Sequence, residues 1–263
     1  MIFRDRIIWI TGASTGIGEA LADELSQKGA KLILSARNIE KLQQVQAQCQ
    51  NPQQHQVIPL DLAEIETINR AVTQVLEEFT QIDILIHCGG VSQRALAQDT
   101  DLSVDYQIMA INYFGAIALT KALLPTMLKQ QFGQIVVISS IVGKFGTPLR
   151  SAYAASKHAL HGFFESLQAE VYDAGIRVTM VCPGFIKTDI SCHALTGEGK
   201  PHGIMDTAQA QGMDVRICAQ KIVKAIQQQK PEVLIGGKEL LGVDLKRFFP
   251  GLFRYLIRRS KVT

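Results

Sequence analysis

The sequence predicts an α/β protein: one doubly wound domain built on a seven-stranded parallel sheet with helices on both faces. Six short apolar runs are each followed by a stretch with helical spacing, and a seventh run, Glu232–Ile235, trails them. Runs such as residues 7–10 do not alternate with polar residues, as is typical of strands buried on both faces. A chain of 263 residues, 47% of them hydrophobic, is long enough to bury such a core.

Composition excludes several classes of protein. A formal net charge of +3 is too small to indicate a nucleic-acid partner, and 19% charged residues argue against general disorder. No signal peptide and no segment of membrane-spanning length is expected. The scattered cysteines contain no Cys-x-x-Cys pair and no cluster with histidine, which predicts reduced thiols in a cytoplasmic protein and no metal site. They are Cys49, Cys88, Cys182, Cys192 and Cys218.

A glycine-rich turn follows the first predicted strand. Its sequence is Thr11-Gly12-Ala13-Ser14-Thr15-Gly16-Ile17-Gly18, and a helical stretch comes directly after it. Between a strand and a helix, glycines let the backbone turn tightly and approach a pyrophosphate, while the helix N-terminus supplies free N–H groups. The alternative is an ordinary tight strand–helix turn, and we favour nucleotide binding.

The end of the second strand predicts which nucleotide binds. A carboxylate that binds the ribose is expected about 20 residues after the glycines, but Ser35 is followed there by Ala36 and Arg37. A guanidinium suits a 2′-phosphate, so the sequence favours NADP(H) over NAD(H). The alternative is that Arg37 is a solvated residue in the first turn of the next helix.

Three polar residues near later strand ends each have more than one interpretation. Asp61 could accept a hydrogen bond from an adenine amino group, or it could cap the following helix. His87 could face a pocket, but a structural histidine is the simpler interpretation. Asn112 lies among apolar residues of a long predicted helix, where it could hold a water, interrupt the helix or bond to core backbone.

A third pattern, around Tyr153, indicates acid–base chemistry. Tyr153 and Lys157 are four residues apart, so on a helix both side chains lie on one face. The ammonium is expected to lower the pKa of the phenol by about two units. Ser140, at the end of a strand thirteen residues earlier, can donate to a substrate carbonyl oxygen. Tyr-x-x-x-Lys alone is weak evidence, because any amphipathic helix can contain it.

Two segments complete the prediction. Residues 189–213 are glycine-rich and weakly periodic, and we interpret them as a lid over the substrate; a solvent loop is the alternative. Residues 245–263 carry six basic residues and no acid, and Pro250 can open an amphipathic helix. That helix could dock on the protein, on a second subunit or on an anionic membrane surface; we favour docking on protein.

Taken in order, these motifs resemble the short-chain dehydrogenase/reductase family over about residues 5–240. The resemblance implies a Rossmann-type domain, residues 1–240, followed by a separate tail, residues 241–263. It also implies hydride transfer between a nicotinamide cofactor and a carbonyl or secondary alcohol, in a homodimer or homotetramer. The alternative function is a non-catalytic NADP(H)-binding sensor on the same fold.

The resemblance also implies roles for individual residues. Tyr153 would exchange a proton with the substrate oxygen and Ser140 would position that oxygen. Lys157 would hold the nicotinamide ribose and Asn112 would order a water. The residues expected to bind the cofactor are Gly12, Ser14, Thr15, Gly16, Ile17, Gly18, Arg37, Asp61, Leu62, Gly89, Gly90, Asn112, Tyr153, Lys157, Pro183, Gly184, Ile186 and Thr188. The residues expected to contact the substrate, which we expect to be an apolar lipid-, steroid-, retinoid- or acyl-like molecule, are Ser140, Tyr153, Phe145, Leu149 and Phe185.

The chain departs from the family pattern in one place. Where the family usually shows Asn-Asn-Ala-Gly, this sequence has His87-Cys88-Gly89-Gly90. The second asparagine of that pattern steadies the central strands, and a thiol cannot replace the hydrogen bonds of its amide. We expect either weaker cofactor binding or compensation by neighbouring residues.

Overall fold

Seven parallel strands form a single sheet in the computed structural model, which describes residues 3–260. Their order across the sheet is β3-β2-β1-β4-β5-β6-β7. The strands are β1 (Ile7–Thr11), β2 (Lys31–Ser35), β3 (Gln56–Val57), β4 (Ile84–His87), β5 (Gly133–Ile138), β6 (Ile176–Pro183) and β7 (Glu232–Ile235). The chain winds outward from β1 to β3 and then from β4 to β7, so its direction reverses between β1 and β4. The predicted doubly wound fold is confirmed.

Helices cover both faces of this sheet. They are α1 (Gly16–Gln27), α2 (Ile39–Gln48), α3 (Ile65–Glu78), α4 (Leu102–Met109), α5 (Gly115–Gln130), α6 (Ser151–Val171), α7 (Thr207–Ala210), α8 (Val215–Gln227), α9 (Leu241–Phe248) and α10 (Pro250–Ile257). Helices α1 and α8 pack together on one face, and α3, α5 and α6 contribute to the core on the other.

The lack of alternation in the strands follows from these two layers. In β1, Ile8 and Ile10 belong to the core under α1 and α8, whereas Trp9 belongs to the core under α3, α5 and α6. All three side chains are fully buried. A strand with helices on both faces needs apolar residues at successive positions, which is the pattern that predicted it.

One long helical stretch, Leu102–Gln130, joins α4 to α5 through a π-helical turn at Ala110–Phe114. This turn contains Asn112, so the interruption of the helix, one of the alternatives for this residue, is observed. The expectation that nothing in the chain reaches membrane-spanning length was wrong, because the 29-residue stretch is long and apolar enough by those two criteria. Its Leu119 and Leu123 are nevertheless fully buried in the protein core, as in a core helix.

The third strand is shorter than the apolar run at residues 56–60 indicates. It ends at Val57, but Leu60 N still bonds to Ala36 O at 3.1 Å, so the chain remains beside β2. The segment interpreted as a lid, residues 189–213, contains α7, and its Leu195 forms β-bridges with Gln93 and Pro201. The predicted last helix begins at Pro250 as expected, and α9 precedes it.

Candidate active site

A cleft of about 1780 Å³ lies where the carboxyl ends of the strands meet. Ligands of open α/β sheets bind at this edge, beside the point where the strand order reverses. The cleft is lined by every residue predicted to bind cofactor or substrate except Gly18, Asn112 and Leu149. Sequence segments that are far apart therefore converge at one site, as the parallel topology requires.

The glycine turn forms a close-packed wall of this cleft. Gly12 has φ +65°, and a Cβ there would lie 2.6 Å from the Gly89 backbone. Gly18 sits behind the wall, and a Cβ on it would lie 2.2 Å from the Gly12 carbonyl oxygen. Thr15, which precedes α1, makes no side-chain capping hydrogen bond. Bare backbone and a helix N-terminus without a side-chain cap fit a pyrophosphate.

Arg37 and Asp61 both line the cleft. Arg37 is exposed and precedes the N-cap of α2, which is Asn38, so it is not a residue of the helix's first turn. The Asp61 carboxylate accepts a hydrogen bond from Ala63 N at 2.9 Å, which stabilises the turn before α3. The N-cap of α3 is Glu64, so Asp61 does not cap that helix; it stabilises the preceding turn and lines the cleft.

Tyr153, Ser140 and Lys157 also line this cleft. Tyr153 is 8% exposed, and its phenol is hydrogen bonded to Ser140. Lys157 Nζ lies 5.7 Å from the centre of the Tyr153 ring and donates to Ile138 O at 2.9 Å. The arrangement puts an exchangeable proton, a hydroxyl donor and an ammonium beside one another in the cleft.

The electrostatics of Tyr153 differ from the expectation that Lys157 lowers its pKa. Burial raises the pKa of Tyr153, and the charge of Arg150, the hydrogen bond with Ser140 and the charge of Arg94 oppose this. Burial also lowers the pKa of Lys157 to about 8. The positive charges that favour the phenolate therefore include Arg150 and Arg94, which the sequence did not indicate.

The family of the chain follows from comparison with known proteins. A family model described as short chain dehydrogenase matches residues 6–198. The chain belongs to the short-chain dehydrogenase/reductase family. It is therefore an oxidoreductase of that family, with the family's nucleotide-binding Rossmann fold.

Relatives match along nearly the whole chain. Dehydrogenase/reductase SDR family protein 7-like of Drosophila melanogaster is 40% identical over 263 residues, covering 98% of this chain and 81% of that protein. Dehydrogenase/reductase SDR family member 7B of Mus musculus is 40% identical over 265 residues, covering 98% of this chain and 82% of that protein.

Solved structures share the fold at lower identity. A short chain dehydrogenase from Burkholderia cenocepacia in complex with NADP has a TM-score of 0.81 and 22% identity, covering 97% of this chain and 98% of that one. A short chain dehydrogenase/reductase from Burkholderia phymatum in complex with NAD has a TM-score of 0.82 and 20% identity, covering 100% and 98%. The two neighbours hold different nicotinamide cofactors.

The departure from the short-chain dehydrogenase pattern at Cys88 is accompanied by a contact from Thr11. The Thr11 hydroxyl accepts from Cys88 N at 3.2 Å and Gly89 N at 3.3 Å, and it donates to Ile86 O at 3.4 Å. These bonds join β1 to the end of β4 without an asparagine amide. Compensation by a neighbour, one of the two expected outcomes, therefore has a structural basis.

His87 is a structural residue. It is buried, does not line the cleft, and its Nε2 lies 2.8 Å from the Thr120 hydroxyl. Because that hydroxyl donates to Ala116 O, Nε2 must be the donor to it, which leaves Nδ1 unprotonated. Burial lowers the pKa of His87 to about 3, so the ring stays neutral.

Asn112 lies behind the cleft wall in the core. Its side chain bonds to both backbone groups of Val91, at 2.8 and 2.9 Å, and to the Ser156 hydroxyl at 3.0 Å. A Cβ on Gly90 would lie 3.1 Å from Asn112 Oδ1 and 3.6 Å from Lys157 Nζ. The Asn112 amide therefore holds the backbone of residues 90–91, which lies between Asn112 and the Lys157 ammonium.

Sequence reasoning missed two residues that position this site. The Gln93 side chain accepts from Ala152 N at 2.9 Å and Tyr153 N at 3.4 Å, so it caps the helix that carries Tyr153. Glu239 accepts from Phe185 N at 3.0 Å and fills the space where a Cβ on Gly184 would stand. Neither has a sequence signal, because each acts on a segment more than fifty positions away.

Aromatic side chains line the part of the cleft where substrate contacts were predicted. Phe145 and Phe185 line it, and the Phe145 ring packs against Phe253 of α10 with centroids 5.1 Å apart. Phe253 is therefore buried, whereas Leu252 and Leu256 remain about half exposed. Leu149 does not line the cleft; it has φ +65°, and its carbonyl accepts from Ala95 N at 3.2 Å.

Proposed function

We propose that this protein is an NADP(H)-dependent oxidoreductase that interconverts a carbonyl and a secondary alcohol on an apolar substrate. One observation carries the proposal: Tyr153, hydrogen bonded to Ser140, shares a cleft with the glycine turn. An acid–base group and a nucleotide cradle in one cleft are the two parts that such chemistry needs.

Each catalytic residue then has one task. Ser140 donates to the substrate oxygen and holds it beside Tyr153. During reduction Tyr153 gives its phenolic proton to that oxygen, and during oxidation the phenolate takes the proton back. Lys157 supplies positive charge and a donor for the nicotinamide ribose, and Asn112 orders a water behind it. The nicotinamide, when bound, supplies or accepts the hydride.

The cofactor would lie along the glycine turn. Ser14, Thr15 and the first N–H groups of α1 would hold its pyrophosphate, and Gly89 with Gly90 would let it approach the β4 end. A Cβ on Gly16 would lie 3.3 Å from Thr188, so the turn and the segment after Pro183 are close enough to hold one ligand between them. Asp61 and Leu62 would face its adenine end.

The direct test is turnover on a substrate panel. NADPH oxidation is measured with ketones, aldehydes and β-ketoacyl thioesters of increasing chain length, with NADH in parallel. We expect activity that rises with apolar chain length, because the far end of the cleft is lined by Phe145, Phe185 and α10. Tight NADPH binding with no turnover on any member would instead favour the sensor function.

Arg37→Gln is expected to reduce the preference for NADPH over NADH by about tenfold to a hundredfold, through loss of charge-assisted hydrogen bonds to the 2′-phosphate. The measurement is kcat/KM with each cofactor. Arg70→Gln is the matched control: Arg70 is also exposed but does not line the cleft. Unchanged preference in Arg37→Gln would contradict NADP(H) selection by this residue.

We further propose that the protein is cytoplasmic and contacts membranes through the tail. Large apolar side chains of α9 and α10 are exposed: Leu241, Phe248, Phe249, Leu252, Tyr255 and Leu256. Lys246, Arg247 and Arg254 lie among them, a combination that suits an anionic lipid surface. Leu256 also lines the cleft, so an apolar substrate has a short path between such a surface and Tyr153.

Replacing Phe248, Phe249 and Leu252 together by Ser is expected to abolish binding to phosphatidylserine-containing vesicles in a flotation assay. Wild-type binding should weaken with salt and be absent on pure phosphatidylcholine. Tyr172→Ser is the control, because Tyr172 is a similarly exposed aromatic residue outside the tail. Equal flotation of the triple variant and the wild type would contradict the proposed contact.

We also propose that the protein forms a homo-oligomer, and this proposal rests on exposed residues outside the tail. Leu102, Tyr106 and Phe114 are more than half exposed on the stretch Leu102–Gln130, which also packs against the Tyr153 helix. Exposed apolar side chains of this size on a helix beside α6 support contact between two subunits at this surface.

A further inference from the structure

Three charged residues form a buried cluster beside Tyr153, which we call the arginine–aspartate cluster: Arg94, Arg150 and Asp206. They are 7%, 6% and 2% exposed, respectively. Arg94 Nε donates to Asp206 Oδ2 at 2.9 Å, and Arg94 Nη2 contacts the same oxygen. Arg150 Nη2 donates to that oxygen too, at 3.3 Å.

The cluster joins three separate parts of the active site. Arg94 follows the β4 end, Arg150 immediately precedes the helix that carries Tyr153, and Asp206 belongs to the lid. Both arginines line the cleft, whereas the aspartate lies behind them. Asp206 is thus the lid residue that ties the two guanidiniums to each other.

The cluster is costly to bury. Two guanidiniums share one carboxylate in this buried site, and burial lowers the pKa of Arg150 only to about 10, so it stays charged. Asp206 Oδ1 is buried and has no hydrogen-bond partner among residues 3–260. A buried polar atom without a hydrogen bond, such as Asp206 Oδ1, calls for an explanation, and groups with shifted pKa values are concentrated at functional sites.

We propose that Asp206 is a positioning residue that latches the lid to Arg94 and Arg150 and thereby fixes two positive charges beside Tyr153 when the lid is closed. The proposal rests on the proposed function, in which Tyr153 becomes a phenolate after it protonates the substrate. The two arginines would stabilise that buried phenolate. An open lid would take the Asp206 carboxylate away from both guanidiniums and let them move relative to the phenolate. Ser92 Oγ and Gln93 O would still accept from Arg94 Nη1, at 2.8 and 2.6 Å.

The lid is also attached to this part of the protein by backbone hydrogen bonds. Arg94 N donates to Leu195 O at 2.8 Å, Leu195 N donates to Ser92 O at 2.9 Å, and Asp101 N donates to Gly197 O at 2.9 Å. These bonds align the lid with the loop after β4 but carry no net charge. Among residues 3–260, the Asp206 contact is the ion pair that links the lid to the charges that face Tyr153.

The charges and dipoles that act on Tyr153 come from several elements. Arg94 and Arg150 act from the cluster, with Asp206 paired to both, and Ser140 bonds to the phenol from the β5 end. Lys157 lies one turn further along α6, near the thiols of Cys88 and Cys182, whose pKa values burial raises to about 12. The thiols therefore stay neutral, and they do not set the charge on Tyr153.

The first test is hydrogen–deuterium exchange of lid peptides in Asp206→Asn. We expect backbone amides of residues 191–210 to exchange about tenfold faster than in the wild type, because a buried ion pair has been broken. Glu198→Gln is the matched control: it removes one carboxylate from an exposed position of the same lid and should leave exchange unchanged. Equal protection in Asp206→Asn and the wild type would overturn the latch.

The second test is the titration of Tyr153, followed by ultraviolet absorbance. The signal of Tyr153 is the difference between each variant and the same variant that also carries Tyr153→Phe. The titration is limited to the pH range in which circular dichroism shows a folded chain. In Asp206→Asn the carboxylate no longer holds the guanidiniums beside the phenol, and we expect the midpoint of the Tyr153 titration to rise by about one pH unit. If the arginines stayed in place, loss of a negative charge would instead move it downward, which would contradict the latch.

Arg150 variants keep the proposal testable even if Asp206→Asn does not fold. Arg150→Gln should raise the Tyr153 titration by about one unit, and Arg150→Lys, which keeps the charge, should restore it. Failure of Arg150→Gln to move the titration would overturn the role of the cluster. None of these measurements needs a substrate, so they are independent of the turnover assay that tests the proposed function.

Discussion

Tyr153→Phe is expected to lower kcat about a thousandfold, because the substrate oxygen loses the phenolic proton of the proposed acid. Binding of NADPH, followed by fluorescence, should change by less than about threefold, since the ring remains. Turnover and binding are measured in the same protein preparation. The pair of results separates a chemical role of the hydroxyl from a role in holding the cleft together.

Tyr172→Phe is the control for this result. It removes the same hydroxyl from a tyrosine that is 54% exposed, outside the cleft, with its ring against Arg177. Full activity is expected there. If Tyr153→Phe kept more than a tenth of wild-type kcat, the proton would have to come from another group, and Tyr153 would not be the acid.

Gly18→Ala is expected to lower the free energy of unfolding by about 2–3 kcal/mol and to weaken NADPH binding more than tenfold. The new Cβ would lie 2.2 Å from the Gly12 carbonyl oxygen and 3.1 Å from Ala13 Cα. Both atoms are backbone, so no side-chain rotation relieves the clash, and α1 must move away from the glycine turn. Urea unfolding and cofactor titration measure the two effects.

Gly162→Ala is the matched control. Gly162 is also inside a helix, but a Cβ there meets no atom within 4 Å. The same substitution should stabilise the protein by up to about 1 kcal/mol through helix propensity. Similar stability changes in the two variants would contradict the view that the glycine turn and α1 pack backbone to backbone.

The sequence by itself determined the sheet and the edge at which the site lies. Strands buried on both faces require consecutive apolar residues, so β1 and β5 were visible as uninterrupted runs. Because all strands are parallel, residues that follow them in sequence must lie along one edge. The glycine turn, Ser140 and Pro183 were therefore predicted together, and the structure brings them into one cleft.

Tertiary structure alone decided what surrounds those residues. Gln93 caps the Tyr153 helix from 59 positions away, and Asp206 reaches Arg94 across 112 positions. No local pattern marks such contacts, because they depend on the path of the chain. The spacing of Tyr153 and Lys157 predicted a lowered pKa for Tyr153, and this was wrong. Burial, which is a property of the fold, raises the pKa and here outweighs the nearby charges.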